Sequence, residues 1–214
     1  MQERIPVRAR LWDVFVRVIG VNGQKKRAIR RFVKGPGRVL EIGCATGNVA
    51  GVFRDFDYVG VDVDAACIAL AARKHRRANC EFHRLDVLRD ELPFASAFDY
   101  VLISHTAHHL ADDYLGRLLE KGAEILRTGG ELVLLDMLRP EPDEPFNRQF
   151  YFKLDRGEHF RSRSELEDMF SKATWFEEVR VHVVRTTKLG IRVIDQVVIC
   201  ARKKPPDRPW PDGS

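Results

Sequence analysis

A short apolar run enters a turn of small residues, VLEIGCATGNVA from Val39 to Ala50, and a second apolar run, YVGVD, ends on the carboxylate of Asp62. Such runs read as buried strands, and a strand feeding a glycine-bearing turn lets backbone N–H groups approach a ligand closely. The second strand adds an acceptor beside that turn, where ribose hydroxyls can reach it. Together they predict an α/β chain with a nucleotide-like ligand at its strand ends.

The turn, Gly43-Cys44-Ala45-Thr46-Gly47, reads G-x-A-x-G. It lacks the G-x-G-x-x-G spacing that cradles a pyrophosphate, which argues against NAD or FAD. A ligand with a ribose and no pyrophosphate needs only close backbone approach, and S-adenosylmethionine is such a ligand. Two glycines also occur in βα turns that bind nothing, so the rest of the chain has to decide.

Strands are expected at Val39 to Ile42, Tyr58 to Val61, Cys80 to Leu85, Tyr100 to Ile103 and Glu131 to Asp136, with helical stretches between most of them. That alternation predicts a parallel sheet with helices on both faces. Ahead of it, Gln24 to Lys34 carries Ala28, Ile29, Phe32 and Val33 on one helical stripe and stops at Gly35-Pro36-Gly37. Asp112 and Asp113 are expected to cap a helix bearing Leu115, Leu118, Leu119, Ile125 and Leu126, which Thr128-Gly129-Gly130 would end. Ser164 and Glu167 fit a capping box for a later helix. Val179 to Val184 and Gln196 to Cys200 close the chain as an expected antiparallel pair. The domain reading is an N-terminal helical cap over 1–34, one domain over 35–203 with a cap insertion at about 140–163, and a disordered tail over 204–214.

With these positions laid out, the chain resembles the class I S-adenosylmethionine-dependent methyltransferases from about Phe32 to Lys203. VLEIGCATG is similar to their glycine-rich motif, YVGVDVD to the second, FHRLDVL to the third, and FDYVLISHTAHHL with LRTGGELVLLD to the fourth and fifth. The resemblance implies a Rossmann-like, seven-stranded, mostly parallel sheet with helices on both faces and the last strand antiparallel. It also implies that Asp62 binds the ribose hydroxyls, Asp86 the adenine amino group, and the Val87 backbone a ring nitrogen. Glu41, Gly43 and Gly47 would line the methionine end, with Cys44, Ala45, Val63 and Ser104 completing the donor site. Ala45 stands where the family more often has glycine, and its methyl group is expected to crowd the donor. HTAHHLADD and LDRGEHFRSRSEL further resemble a bacterial subgroup acting on small molecules or on glycan and lipid precursors.

Methyl transfer from a sulfonium asks the protein mainly to align the nucleophile and exclude water. A base is needed for a hydroxyl or protonated amine, and His105, just past the fourth strand, is the candidate, either as base or as a shape-filling wall. His108 and His109 follow within a turn; a metal reading lacks a nearby carboxylate or cysteine to complete it, and His109 is expected to be a structural hydrogen-bonder under the donor. His108, Tyr151, Arg156, His159 and Arg161 are the candidate acceptor-binding residues. The arginines suggest an anionic acceptor, unless Asp155 and Arg156 form an internal pair that fixes the cap.

The net charge of +5 on 214 residues is modest, but Arg17 to Arg38 holds Arg17, Lys25, Lys26, Arg27, Arg30, Arg31, Lys34 and Arg38 and no acid. This run reads as a solvated helix face, or as a surface for phosphate, an anionic substrate or membrane. An RNA or DNA methyltransferase is disfavoured because ISHTA offers no Asn-Pro-Pro-Tyr clamp, and a non-catalytic donor-binding partner protein is the other rival. Cys44, Cys67, Cys80 and Cys200 contain no C-x-x-C pair and are expected to be reduced thiols. No signal peptide or membrane span is expected, so the location is read as cytoplasmic. Leu11, Trp12, Val14, Phe15, Val18 and Ile19 would cover the site, join two copies as a homodimer, or lie on a membrane surface.

Overall fold

The apolar runs at 39–42, 58–61, 101–103 and 132–136 become parallel strands buried on both faces, an environment that a sheet covered by helices provides, whereas Cys80–Arg84 pairs at the sheet edge and is largely uncovered. The structure, a computed structural model, describes residues 21–93, 97–139, 157–188 and 191–205. The N-terminal apolar residues Leu11 to Ile19, the cap between 140 and 156 with Tyr151, Asp155 and Arg156, and most of the tail lie outside them.

The described elements are α1 (Val21–Phe32), β1 (Arg38–Ile42), β2 (Asp57–Asp62), α2 (Ala65–Lys74), β3 (Cys80–Arg84), β4 (Phe98–Ser104), α3 (Asp112–Ile125), β5 (Leu126–Met137), α4 (Arg163–Lys172), β6 (Phe176–Lys188) and β7 (Ile191–Lys203). They form a seven-stranded sheet in the order β3-β2-β1-β4-β5-β7-β6. β7 runs antiparallel to both β5 and β6, and the other pairings are parallel. The Rossmann-like fold expected from the sequence is the one observed. Strand order reverses between β1 and β4, where open sheets of this kind leave a crevice at the carboxyl ends.

Neighbouring residues on a strand face opposite ways and separate two cores. Leu40, Val101, Ile103 and Val197 pack with Leu118 and Leu119 of α3 and Phe170 of α4. Val39, Leu102, Val133 and Val198 pack with Ala28, Ile29 and Val33 on the α1 side. Among the described residues no helix is long and apolar enough to cross a membrane. The four cysteines are unpaired thiols.

Three helix boundaries differ from the sequence expectation. Neither Asp112 nor Asp113 caps α3 with its side chain; Ala111 holds the cap position, and the Asp112 carboxylate instead accepts from Arg161. α3 ends at Ile125 rather than at Thr128-Gly129-Gly130, because Leu126 already pairs with Phe98 on β4 and the glycines sit inside β5. The capping box of α4 is Ser162 with Glu165, two residues before the expected pair. Glu165 Oε2 accepts from Ser162 N at 2.6 Å, and Glu167 pairs with Arg163 instead.

Candidate active site

β1, β2, β4 and β5 end on one rim, and each leaves a polar group there: Glu41 in β1, Asp62 at the end of β2, Ser104 at the end of β4 and Asp136 near the end of β5. The glycine turn leaves β1 at Gly43, which takes φ 74°; a Cβ there would lie 2.5 Å from Thr106 Oγ1. Both the left-handed backbone and the close approach require glycine. Gly43 N and Cys44 N donate to Val61 O at 2.9 and 3.0 Å, fastening the turn to β2.

Asp62 holds the other side of that junction. Its Oδ2 accepts from Ala45 N at 2.8 Å and its Oδ1 from Asp64 N at 2.9 Å. Asp64, not Asp62, caps α2, accepting from Ala66 N and Cys67 N. The carboxylate tip and the turn are therefore in direct contact, as a shared ligand would need. Ala45 adopts φ 45°, a left-handed conformation that costs a non-glycine residue about 1–2 kcal/mol.

Beyond Asp62 opens a cleft of about 670 Å³ lined by Val63, Leu85, Asp86, Arg89 and Tyr114 among others. Val63 is 62% exposed, an apolar side chain with no apolar cover. Asp86 Oδ1 accepts from Leu88 N at 3.0 Å and from Tyr114 Oη at 2.9 Å, which fixes the carboxylate on the cleft wall. Val87 is buried beneath it.

The methionine end of the expected site is a buried polar cluster. Glu41 is 2% exposed and accepts from the Tyr58 hydroxyl. Burial pushes its carboxyl up to about 7, against the opposing pull of Lys25 and Tyr58. Lys25 reaches in from α1 and donates from Nζ to Ser104 O at 3.1 Å. Burial holds its ammonium below the ordinary lysine range although Glu41 and Asp136 draw it the other way. Ser104 Oγ is buried with no hydrogen-bond partner among the described residues.

His105 follows β4 with φ 55°, its N–H donating to Leu135 O at 2.8 Å. Its ring is half-buried, 6.3 Å from that of His108. His108 does not face an open acceptor pocket. It is 2% exposed, its Nδ1 bonds Asp136 Oδ1 at 2.5 Å, and its backbone N donates to Asp136 Oδ2 at 2.8 Å. Burial pushes the Asp136 carboxyl up, but His108, with a lesser pull from His105, holds it below its ordinary range. Phe160 stacks on the His108 ring at 4.9 Å, and a Cβ on Gly157 would come within 2.4 Å of His108 Cδ2. The structural histidine is thus His108, whereas His109, expected in that role, is exposed.

Arg161 is also corrected. It is 7% exposed, and every N–H of its guanidinium is engaged: Nη1 donates to Ala107 O and His159 O, Nη2 to Leu110 O and Asp112 Oδ1, and Nε to Asp112 Oδ1. It ties the 157–162 segment to the loop after β4 and has no donor left for an anionic acceptor. His159 lies half-buried in that segment, its N–H on His108 O at 2.9 Å. Tyr151 and Arg156 lie outside the described residues. Among those residues no group of three His, Cys, Asp or Glu side chains is placed to hold a metal ion.

The sequence reading missed Lys25, Tyr58, Tyr114 and Asp136. Two had a signal: Asp136 ends the run LVLLD as Asp62 ends YVGVD, and Lys25 lies three and four residues before Ala28 and Ile29, on the buried stripe.

A family model described as a methyltransferase domain matches residues 20–175. The chain belongs to that family. Two curated relatives from mycobacteria are similar over half of the chain: a phthiotriol/phenolphthiotriol dimycocerosates methyltransferase of Mycobacterium ulcerans, 34% identical over 48% of this chain and 38% of its own, and a fatty-acid O-methyltransferase of Mycolicibacterium smegmatis, 34% identical over 50% and 39%. The chain thus spans about two fifths of the length of these methyltransferases. Among solved structures, human N-acetylserotonin methyltransferase in complex with S-adenosylmethionine superposes with a TM-score of 0.69 at 20% identity, covering 92% of this chain and 56% of that one. The N-methyltransferase NodS of Bradyrhizobium japonicum in complex with S-adenosyl-l-homocysteine gives 0.62 at 16%, covering 86% and 85%. At these identities the methyltransferase structures bear on the fold alone.

Proposed function

We propose that the protein transfers a methyl group from S-adenosylmethionine to an oxygen or nitrogen of a small-molecule or lipid- or glycan-precursor acceptor. The observation carrying this reading is the junction of Asp62 with the glycine turn at the switch point, opening onto the cleft beside Asp86. The donor fits what surrounds it. Asp62 offers an anionic acceptor for ribose, Val63 an uncovered apolar wall for a base, and Glu41, Ser104 and Asp136 an acceptor-rich end suited to a cationic amino acid. When bound, the donor supplies an activated methyl on a sulfonium.

The chain's own residues then have two tasks. The rim holds donor and acceptor in line, worth about 7–11 kcal/mol when alignment is good. His105, at the lip of the crevice and electrostatically coupled to Asp136, takes the proton from a hydroxyl as it attacks, or from an ammonium before the freed amine attacks. His108 and Asp136 form a fixed floor rather than a second base. The mycobacterial relatives, one a fatty-acid O-methyltransferase, support a lipid-related acceptor. The case for an anionic acceptor weakens, since Arg161 is engaged internally and Arg163 pairs with Glu167. A cytoplasmic site of action and a homodimer remain readings of the sequence.

Titration calorimetry with S-adenosylmethionine and S-adenosylhomocysteine tests the donor. Two charge-assisted bonds to ribose are worth about 1.5–3 kcal/mol each, so Asp62→Ala is expected to weaken both ligands about 100-fold or more. Asp62→Asn, which keeps the shape of the tip, should lose less. Equal affinity in wild type and Asp62→Ala would overturn the assignment.

A further inference from the structure

Of the basic residues on α1, which are Lys25, Lys26, Arg27, Arg30 and Arg31, Lys25 is the buried one at 9% exposure, whereas Lys26 is half-buried and the three arginines are exposed. Helical spacing puts Lys25 on the stripe of Ala28 and Ile29, at a position where an aliphatic side chain would pack without desolvating a charge. Its Nζ donates to the carbonyl of Ser104 at the end of β4. Glu41 on β1, itself bonded by Tyr58, and Asp136 on β5, itself paired with His108, both act on it electrostatically, with Cys44 contributing and Lys26 of its own helix opposing. The surroundings of Nζ are thus acceptors and carboxylates from three adjacent strands. Such a set selects a cation and repels a carboxylate.

We propose that the Lys25 ammonium occupies the place that the α-ammonium of the donor takes when it binds, so that the donor enters by displacing Lys25 from Ser104 O. The inference rests on the donor assigned above. S-adenosylmethionine and its demethylated product both carry an α-ammonium, and the former adds a sulfonium. Two cations cannot share one desolvated carbonyl and its flanking carboxylates without strong repulsion. The lysine side chain, rooted one turn into a helix at the rim, has a long flexible stem with which to swing out to solvent. The Ser104 hydroxyl beside the same carbonyl, without a hydrogen-bond partner among the described residues, is a further hydrogen-bonding group for the incoming amino-acid end. Lys25 then acts as an internal competitor that lowers donor affinity by the fraction of time it sits in the site.

The test compares S-adenosylhomocysteine with 5′-methylthioadenosine, which shares the adenosine and the sulfur but lacks the amino-acid end. Reductive methylation of the wild type, read residue by residue by mass spectrometry, is expected to label Lys25 slowly in the free protein. Saturating S-adenosylhomocysteine should raise its rate toward that of exposed Lys34, and methylthioadenosine should leave it slow. In calorimetry, Lys25→Met is expected to bind S-adenosylhomocysteine about tenfold more tightly and methylthioadenosine unchanged. Lys25 that stays slow under bound S-adenosylhomocysteine, or a Lys25→Met protein that binds it more weakly or equally, overturns the proposal. If neither ligand binds the wild type, the donor assignment itself fails. The labelling arm needs no variant, so it stands even if Lys25→Met does not fold.

Discussion

Replacing Arg161 by methionine distinguishes a structural tie from an acceptor-binding arginine. The guanidinium is 7% exposed and donates to the carbonyls of Ala107, Leu110 and His159 as well as to Asp112. Methionine keeps the stem's packing and removes every donor. The Asp112 side chain is 77% exposed, so water replaces that partner and its share is below about 1 kcal/mol. The three carbonyls are different: each orphaned acceptor costs about 1–3 kcal/mol, part of which a penetrating water returns. A loss of about 3–5 kcal/mol follows, in line with the removal of one partner from a buried charged network. For a chain of 214 residues that corresponds to a fall in Tm of roughly 10 °C, read by circular dichroism or calorimetry. Asp112→Asn, acting on the exposed partner, should move Tm by no more than about 3 °C. If Arg161→Met melts within about 2 °C of the wild type while KM for the acceptor rises, the argument from its hydrogen bonds is wrong.

Two further outcomes follow from the site. Glu41 has its carboxyl raised to about 7 in the folded chain, above its unfolded value of 4.5, so it favours the fold at low pH and this contribution is lost as pH rises through 7. Urea titrations between pH 4.5 and 7.5 should show the wild type losing on the order of 3 kcal/mol relative to Glu41→Gln, and parallel curves for the two proteins would refute it. His105→Asn, chosen because asparagine tolerates the left-handed backbone at that position, should lower kcat about 10²–10⁴-fold with little change in Tm, and a decrease under tenfold would remove the base role.

The strands were legible because apolar runs bounded by turn residues have few other uses in a chain of this size. Asp62 was visible as a strand-tip carboxylate, but Asp136, at the tip of a like run, is buried against His108, so the pattern alone does not separate an open tip from a buried one. What escaped the sequence was set by distant partners. Ser162 with Glu165 and Ser164 with Glu167 satisfy the same capping spacing, and the choice falls to Glu165, which also meets Arg139, two residues past the end of β5. Arg161 looked like a ligand arginine because its partners are backbone carbonyls and a carboxylate 49 residues away, which no local pattern reveals. Lys25 was hidden by its neighbours: within a basic run a single inward-facing charge is masked, although its place on the apolar stripe marked it.

The position of β7 has a consequence for how the chain is made. Its residues Ile194, Val197, Val198, Ile199, Cys200 and Ala201 are almost wholly buried, and the strand lies between β5 and β6. On the ribosome, the piece that bridges those two strands therefore emerges after both of them. Until it does, β5 presents an open row of amides and carbonyls to any other extended peptide nearby. Joining β5 to β6 has to wait for β7, and the hazard of misassociation is concentrated in the interval before that strand arrives.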